Sequence, residues 1–292
     1  MGFGRCADTR DTSLRSHARQ SPFAVEGLER MECPRLHRAR HRLRGRMSGS
    51  DFHGPRLFVE AVLAERASIA CTAEQANYLL NVMRLGLGDE ILIFNGRDGE
   101  WRTRIAEVTK RHCALECLEK TRSQQGAPDI HFLFAPLKRA RLDYMVQKAT
   151  EMGVARLQPV LTRRTMVARV NVARMRANAI EAAEQCRVLW VPEIAEPMQL
   201  AAMINSWNAT RRLIYCDETA QVANPITALA SLAPGPLAVL IGPEGGFDRD
   251  ERAMLHQQAF TLPISLGPRI MRADTAAVAA LALVNAVVGD WR

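Results

Sequence analysis

Ala238-Val-Leu-Ile-Gly-Pro-Glu-Gly-Gly-Phe247 reads as a short buried strand running into a Gly/Pro loop. A second segment answers it, Pro263-Ile-Ser-Leu-Gly-Pro-Arg-Ile-Met-Arg-Ala-Asp-Thr275, with the same order of strand and loop. Each is followed by a helical pattern. Asp248 and Glu251 stand at capping-box spacing ahead of a helix from Arg249 to Ala259. Asp274 or Thr275 is placed to cap the Ala-rich run from Ala276 to Val288. Two such units side by side put two backbone-rich loops at the carboxyl ends of neighbouring parallel strands, where small ligands bind in open α/β sheets. Either loop alone is an ordinary turn. The pair, with Arg269 and Arg272 in the second loop, points to a ligand site.

Upstream, strands and helices alternate back to residue 129, which implies a parallel sheet. Strands are expected over 129–135, 156–161 and 212–216, with an extended stretch from Pro192. Helices are expected over 141–153, 171–187, 198–207 and 226–231. In the first of these Leu142, Met145, Val146, Ala149 and Met152 form one stripe, and Gly153 supplies the C-terminal cap. The polar, breaker-rich Arg122-Ser-Gln-Gln-Gly-Ala-Pro128 marks a domain boundary. Before it the pattern differs. Residues 73–84 read as a short amphipathic helix, and strands follow over 88–96, 100–108 and 113–118. In Glu100–Val108, Trp101, Thr103 and Ile105 alternate with Arg102 and Arg104. Short strands between turns suggest a small β-barrel over residues 47–121, ahead of an α/β domain over 129–292.

Composition limits the possibilities. The 292 residues are 48% hydrophobic, enough for two domains with real cores, and the longest apolar run, 276–288, is too short to span a membrane. Of the net charge of +8, +6 falls in residues 1–46, which carry eleven Arg and five acids; the remainder is nearly neutral. Any RNA-binding surface of the folded part is therefore local. Residues 1–46 read as a disordered Arg-rich extension, with Met47 as the expected true start. Seven Cys without a CxxC pair indicate a reducing cytosol, and the seven His fall in no metal or triad pattern. Neither a metal site nor a membrane segment is expected.

The loops match neither a Walker phosphate loop nor a dinucleotide fingerprint. They offer main-chain N–H and C=O groups edged by Ile241, Phe247, Leu266, Ile270 and Met271, which suits an adenosine-bearing ligand better than a phosphate chain.

At this level the chain resembles the RsmE-type small-subunit (16S) ribosomal RNA uridine-N3 methyltransferases of the SPOUT superfamily. The resemblance lies in Leu240-Ile-Gly-Pro-Glu-Gly-Gly-Phe247, in Leu266-Gly-Pro-Arg-Ile-Met-Arg272 with Thr275, and in Gln147-Lys-Ala-Thr-Glu-Met-Gly-Val154 with Gln158-Pro159. Glu184-Gln-Cys186 with Pro192, and Asn81-Val-Met-Arg84 with Gly88-Asp89, also match, so it runs from about Arg56 to the C-terminus. It implies a PUA-like barrel, a parallel-sheet domain with a C-terminal trefoil knot, a homodimer in the cytoplasm, and S-adenosylmethionine as cofactor. Tyr215, Leu240, Ile241, Gly242, Pro243, Glu244, Gly245 and Gly246 would hold the cofactor, with Leu266, Gly267, Pro268, Ile270, Met271 and Thr275 from the second loop.

The implied substrate is ribosomal RNA, free or in the assembled small subunit. Loss of the N3 proton leaves negative charge on the uracil, and Arg272 is the candidate to stabilise it, unless it serves as a bridge within its own loop. Glu244 and Glu151 are possible bases, and Glu244 has the alternative of bracing its loop. N3 lies on the Watson–Crick edge, so the uridine must be unpaired or flipped out. Arg56, Arg84, Arg102, Lys138, Arg141 and Lys148 are candidate RNA contacts, each with a solvated surface charge as the alternative. Departures from the family pattern are Asp274 for Glu, Met271 for Leu, Asn77 for His, and Arg187 where Gly is usual. Another target such as a ribose 2′-hydroxyl, or a catalytically silent RNA-binding protein, would share most of these features.

Overall fold

Short apolar runs broken by turn residues give the N-terminal part five strands: β1 (Arg56–Phe58), β2 (Ser68–Ala70), β3 (Glu90–Phe94), β4 (Glu100–Val108) and β5 (Cys113–Arg122). The computed structural model describes residues 54–109, 112–167, 169–220 and 224–291. The expectations for residues 1–46 and for Met47 lie outside the described residues. The sheet order is β1-β3-β4-β5-β2, antiparallel except where β1 lies parallel to β3. Three irregularities in the β4–β5 register bend the ribbon. The expected alternation holds: Trp101, Thr103 and Ile105 are buried with Leu79, Ile91 and Leu115. On the other face Arg102 bridges Glu90 and Glu119, and Arg104 meets Glu116. β5 continues to Arg122, past the expected end at 118, because the long β4 pairs with it as far as Glu100.

The helix expected over 73–84 is shorter. α1 (Ala73–Asn77), capped by Thr72 and Gln75, gives way to one π-helical turn, Tyr78–Val82. Arg84, at φ 57°, ends it.

The second sheet is wholly parallel. Its strands are β6 (Ile130–Phe134), β7 (Arg156–Leu161), β8 (Glu193–Ile194), β9 (Met198–Gln199), β10 (Arg212–Cys216), β11 (Leu237–Ile241) and β12 (Thr261–Ile264). Their order is β12-β10-β11-β6-β7-β8, with β9 also on β7. Helices α2 (Arg139–Glu151), α3 (Val172–Gln185), α5 (Pro225–Ala230) and α7 (Ala273–Val287) supply the core on one face. α4 (Leu200–Asn205) and α6 (Arg249–His256) supply the other. Strands covered on both faces read as continuous apolar runs, as Leu237–Ile241 does, and all five of its residues are buried. Pro263 is tolerated because β12 is an edge strand whose sheet partner is β10.

The helices expected over 141–153, 171–187 and 226–231 shift by one or two residues at their ends, and the one expected over 198–207 is cut to Leu200–Asn205 because Met198–Gln199 pair with β7; the two boundaries beside the last loops differ as well. α7 starts at Ala273, three residues early, so Asp274 and Thr275 lie in its first turn and neither is the cap; Arg272 takes that place without a side-chain bond. α6 ends at His256. Its capping box, Asp248 with Glu251, forms as the spacing predicts. Gly153, at φ 79°, closes α2, and the buried Asn285 of α7 donates from Nδ2 to Met152 O at 2.9 Å. Among the described residues no helix is long and apolar enough to cross a membrane.

Arg56 joins the two sheets and is a correction to the sequence reading. It is buried, with Nε donating to Glu100 Oε2 at 2.7 Å. Its Nη1 donates to the carbonyls of Ala183 (2.7 Å) and Glu184 (3.0 Å), and Nη2 to Val188 O (3.2 Å). A guanidinium at the C-terminal carbonyls of α3 complements the helix dipole. Every arm of it is taken up inside the protein, so it has no side left for an RNA phosphate. Glu184 returns the contact by accepting the Phe58 N–H at 2.8 Å.

Candidate functional site

The two Gly/Pro loops meet, but their strands are not neighbours. β10 lies between β11 and β12, and its end, Cys216-Asp217-Glu218, forms the third wall of the cavity. Asp217 N donates to Ile264 O at 3.0 Å, which carries the β10–β12 ladder to the floor of the site.

In the first loop Gly246 N donates to Pro243 O at 2.8 Å, a tight turn that Gly246 completes at φ 68°. A Cβ on Gly246 would stand 3.0 Å from Glu218 Oε1, and one on Gly242 would stand 2.9 Å from the ring of Phe247. Phe247 is buried and meets Tyr215 edge-on, with centroids 6.1 Å apart. The loop therefore lies on a fixed aromatic base with its main chain toward the cavity. The second loop carries Gly267 at φ 107° and faces the cavity with Leu266, Ile270, Met271 and Arg272.

Strand periodicity sorts the expected residues. Ile241, Gly242, Pro243, Glu244 and Gly246 line the cavity, as do Gly267 and the four side chains just named. Leu240 and Tyr215 do not. Alternate residues of a strand face opposite sides, and both belong to the core under α4 and α6. Gly245, Pro268 and Thr275 also stand outside the lining, all three exposed. Residues that sequence reasoning missed are Asp217, Glu218, Arg252, Ser265, Ala273 and Ala276. Asp217 carried a usable signal, as the first charged residue after the apolar run Leu213–Cys216.

The charges are arranged unevenly. Arg141, from α2, makes a two-armed ion pair with Glu244, its Nη2 reaching Oε2 at 3.1 Å. That bond, with Arg272 and Lys138 further off, holds the Glu244 carboxyl below the usual range. Glu244 is thus a braced anion and poorly suited to collect a proton. Glu151 is held by Lys148 at 2.7 Å, outside the cavity. Among the described residues no carboxylate lies within ion-pair distance of Arg272, so the bridge weighed for it is not formed. Asp217 is buried: Oδ1 accepts from Thr219 N (2.9 Å) and Oγ1 (2.8 Å), while Oδ2 has no hydrogen bond and lies 3.3 Å from Arg252 Nε. Burial pushes the Cys216 thiol up to about 12, so it stays protonated and is no nucleophile.

The other basic candidates are placed separately. Lys138 is exposed at the start of α2, and Arg84 is exposed on the first sheet's helical turn. Arg102, between two carboxylates, is committed to its own sheet.

Comparison with known proteins gives the family. Residues 125–285 match the model of an RNA methyltransferase domain, and residues 72–117 that of an RNA methyltransferase PUA domain. The ribosomal RNA small subunit methyltransferase E of Rickettsia conorii is 30% identical over 232 residues, 79% of this chain and 94% of that one. The chain belongs to the small-subunit methyltransferase E family. Another family member, from Synechocystis, is 29% identical, with 80% of this chain and 78% of that one covered. Among solved structures, the Neisseria gonorrhoeae family member shares the fold with a TM-score of 0.75 at 24% identity, covering 82% of this chain and 100% of that chain; it was solved with S-adenosylmethionine. A Legionella pneumophila methyltransferase, also solved with S-adenosylmethionine, is 26% identical with a TM-score of 0.71, covering 80% of this chain and 98% of that chain.

Proposed function

We propose that this methyltransferase transfers the methyl group of S-adenosylmethionine to N3 of a uridine in small-subunit (16S) ribosomal RNA. The observation that carries the reading is the cavity at the end of β10, edged by two backbone-rich loops, with Arg272 at its rim and, among the described residues, no carboxylate within ion-pair distance of it. The residues suit the cofactor. Ile241, Leu266 and Met271 offer apolar surface for an adenine, and main-chain groups beside Gly242 and Gly267 can read its edge. Asp217, with an oxygen lacking a hydrogen bond, and Glu218 offer acceptors for hydroxyl or ammonium donors. When bound, S-adenosylmethionine supplies an electrophilic methyl on a sulfonium.

The chain's own residues then have three tasks. The loops position the base and exclude water, which accounts for much of the rate. Arg272 stabilises the negative charge left on the uracil edge when the N3 proton departs to water. The Arg141–Glu244 pair holds the first loop against α2. The first domain, with Arg84, grips the RNA around the target, with Lys138 on the α/β side, where Arg141 and Lys148 are taken up by Glu244 and Glu151. The linker between the two parts is placed at 122–128, with β5 reaching its first residue, Arg122. We also infer a trefoil knot around α6, β12 and α7, a cytoplasmic location, and a homodimer whose interface would cover Ile270, 90% exposed on the second loop.

The test is incubation of ribosomal RNA and of intact small subunits with labelled S-adenosylmethionine, followed by nucleoside mass spectrometry. The expected product is 3-methyluridine. A 2′-O-methyl nucleoside would overturn the assigned position, and absence of both cofactor binding and product would leave a silent RNA-binding protein. Sedimentation as a monomer at working concentration would remove the dimer.

A further inference from the structure

Beyond the first loop lies a second cleft, lined by Arg164, Glu218, Phe247, Arg249, Arg252 and His256 around Ala253. It shares Glu218, Phe247 and Arg252 with the cofactor cavity, so the two are separated by a single layer of side chains. Three of its residues follow helix periodicity: Arg249, Arg252 and His256 lie on one face of α6, with the small, exposed Ala253 leaving room between them. Arg164 faces them from the loop after β7, where its Nη1 donates to Gly245 O at 2.6 Å.

A basic helix face is ordinarily just solvated. Here the acids of α6 are turned the other way. Asp248 and Asp250 both take Arg163, each at 2.7 Å, and Glu251 is buried in the capping box. Among the described residues neither Arg164 nor Arg249 has a carboxylate partner. Arg252 is shared between Asp217 at 3.3 Å and Glu218 at 3.7 Å, and so anchors the cleft floor to the cavity wall. The result is a concave surface next to the site where a base must be held, with two guanidinium groups that, among the described residues, have no carboxylate partner, one of them steadied by its bond to Gly245 O. Guanidinium groups pair well with phosphate, and a strand whose base enters the cavity must carry its backbone over an adjoining surface.

We infer that this cleft, with Arg164 and Arg249 as its arms, seats a backbone phosphate of the RNA strand flanking the methylated nucleotide. The inference rests on the reading of the substrate as RNA. The phosphate's role is to fix the strand, so it acts on RNA affinity and leaves the chemistry untouched.

The experiment uses the full chain with Arg249→Ala or Ala253→Glu, both outside the cofactor cavity. RNA binding is measured by fluorescence anisotropy on a small-subunit rRNA fragment across a salt series, alongside cofactor titration and product formation. Each variant should weaken RNA binding about tenfold, and the salt slope should drop by about 0.7 for each lost phosphate contact on a single strand. Cofactor affinity and kcat should stay within about twofold of the parent, with the loss in KM, since a positioning contact is not specific to the transition state. Arg249→Lys should recover most of the binding. RNA affinity and salt slope equal to the parent in both substitutions would overturn the cleft, even if the parent makes 3-methyluridine. RNA binding by the parent without methylated product would overturn the proposed reaction while the slopes still decided the cleft. Failure of the parent to bind RNA would remove both.

Discussion

Replacing Gly246 by valine tests the placement of the cofactor site most directly. Gly246 sits at φ 68° and closes the turn to Pro243 O at 2.8 Å. A left-handed backbone costs a non-glycine residue about 1–2 kcal/mol, and β-branching does not ease it. The added Cβ also falls 3.0 Å from Glu218 Oε1. The Glu218 carboxylate is more than half exposed and can swing aside, so the strain of the backbone dominates over the clash. If the loop relieves that strain by opening, the competent fraction falls by the same free energy, about 5- to 30-fold. Titration calorimetry with S-adenosylmethionine should show that weakening. The first sheet and its core, which do not touch the loop, should keep their far-UV circular dichroism and their thermal transition. Unchanged affinity would refute the assignment of this loop to the cofactor. So would a folding defect in the N-terminal part, since it would show that the loop is a structural element first.

Arg272→Lys keeps the charge but loses the planar fork, and Arg272→Ala loses both; the alanine form should lose about 100- to 1000-fold in kcat with cofactor affinity nearly intact, and equal losses in kcat and cofactor binding would contradict a transition-state role. Because Arg141 depresses the Glu244 carboxyl, the pair stabilises the fold above the ordinary carboxylate range and is lost as pH falls through the lowered value. Thermal unfolding of Arg141→Met should therefore trail the parent by a constant margin above about pH 5, with the two curves converging as pH falls below the ordinary carboxylate range; a margin that grows in acid would have the wrong sign. Arg56→Ala leaves the buried Glu100 only Arg122 at 3.7 Å and the Thr121 hydroxyl at 3.0 Å and should cost about 3 kcal/mol in urea unfolding, while Arg56→Met combined with Glu100→Leu should recover most of it. A loss under about 1 kcal/mol for Arg56→Ala would mean the junction tolerates an empty clamp.

What the sequence disclosed depended on periodicity. β4, β7 and β10 lie where alternation or apolar runs place them, and the capping box at Asp248 was readable from spacing alone. The two loops were recognisable because Gly and Pro mark them. Sheet order was not, since a parallel sheet joins strands through long crossovers that leave no local trace. For that reason β10 was not expected between β11 and β12, and Asp217 with it. The side chains of Leu240 and Tyr215 fall outside the cavity for a related reason: a linear motif ignores that successive strand residues face opposite sides. Arg56 was misjudged because its partners, Glu100 and the carbonyls near Ala183, are far away in sequence. An arginine with long-range partners looks no different from a solvated one until the chain is folded.

The insertion of β10 between the two loop-bearing strands also bears on the order of assembly. One wall comes from residues 216–218, another from 241–247, and the last from 265–276, so the cavity has no partial version. A chain halted during synthesis before β12 has docked would keep a folded N-terminal sheet yet have nowhere to seat the cofactor. Ligand retention would then serve as a receipt for completed synthesis, issued only when the final helix has closed over the sheet.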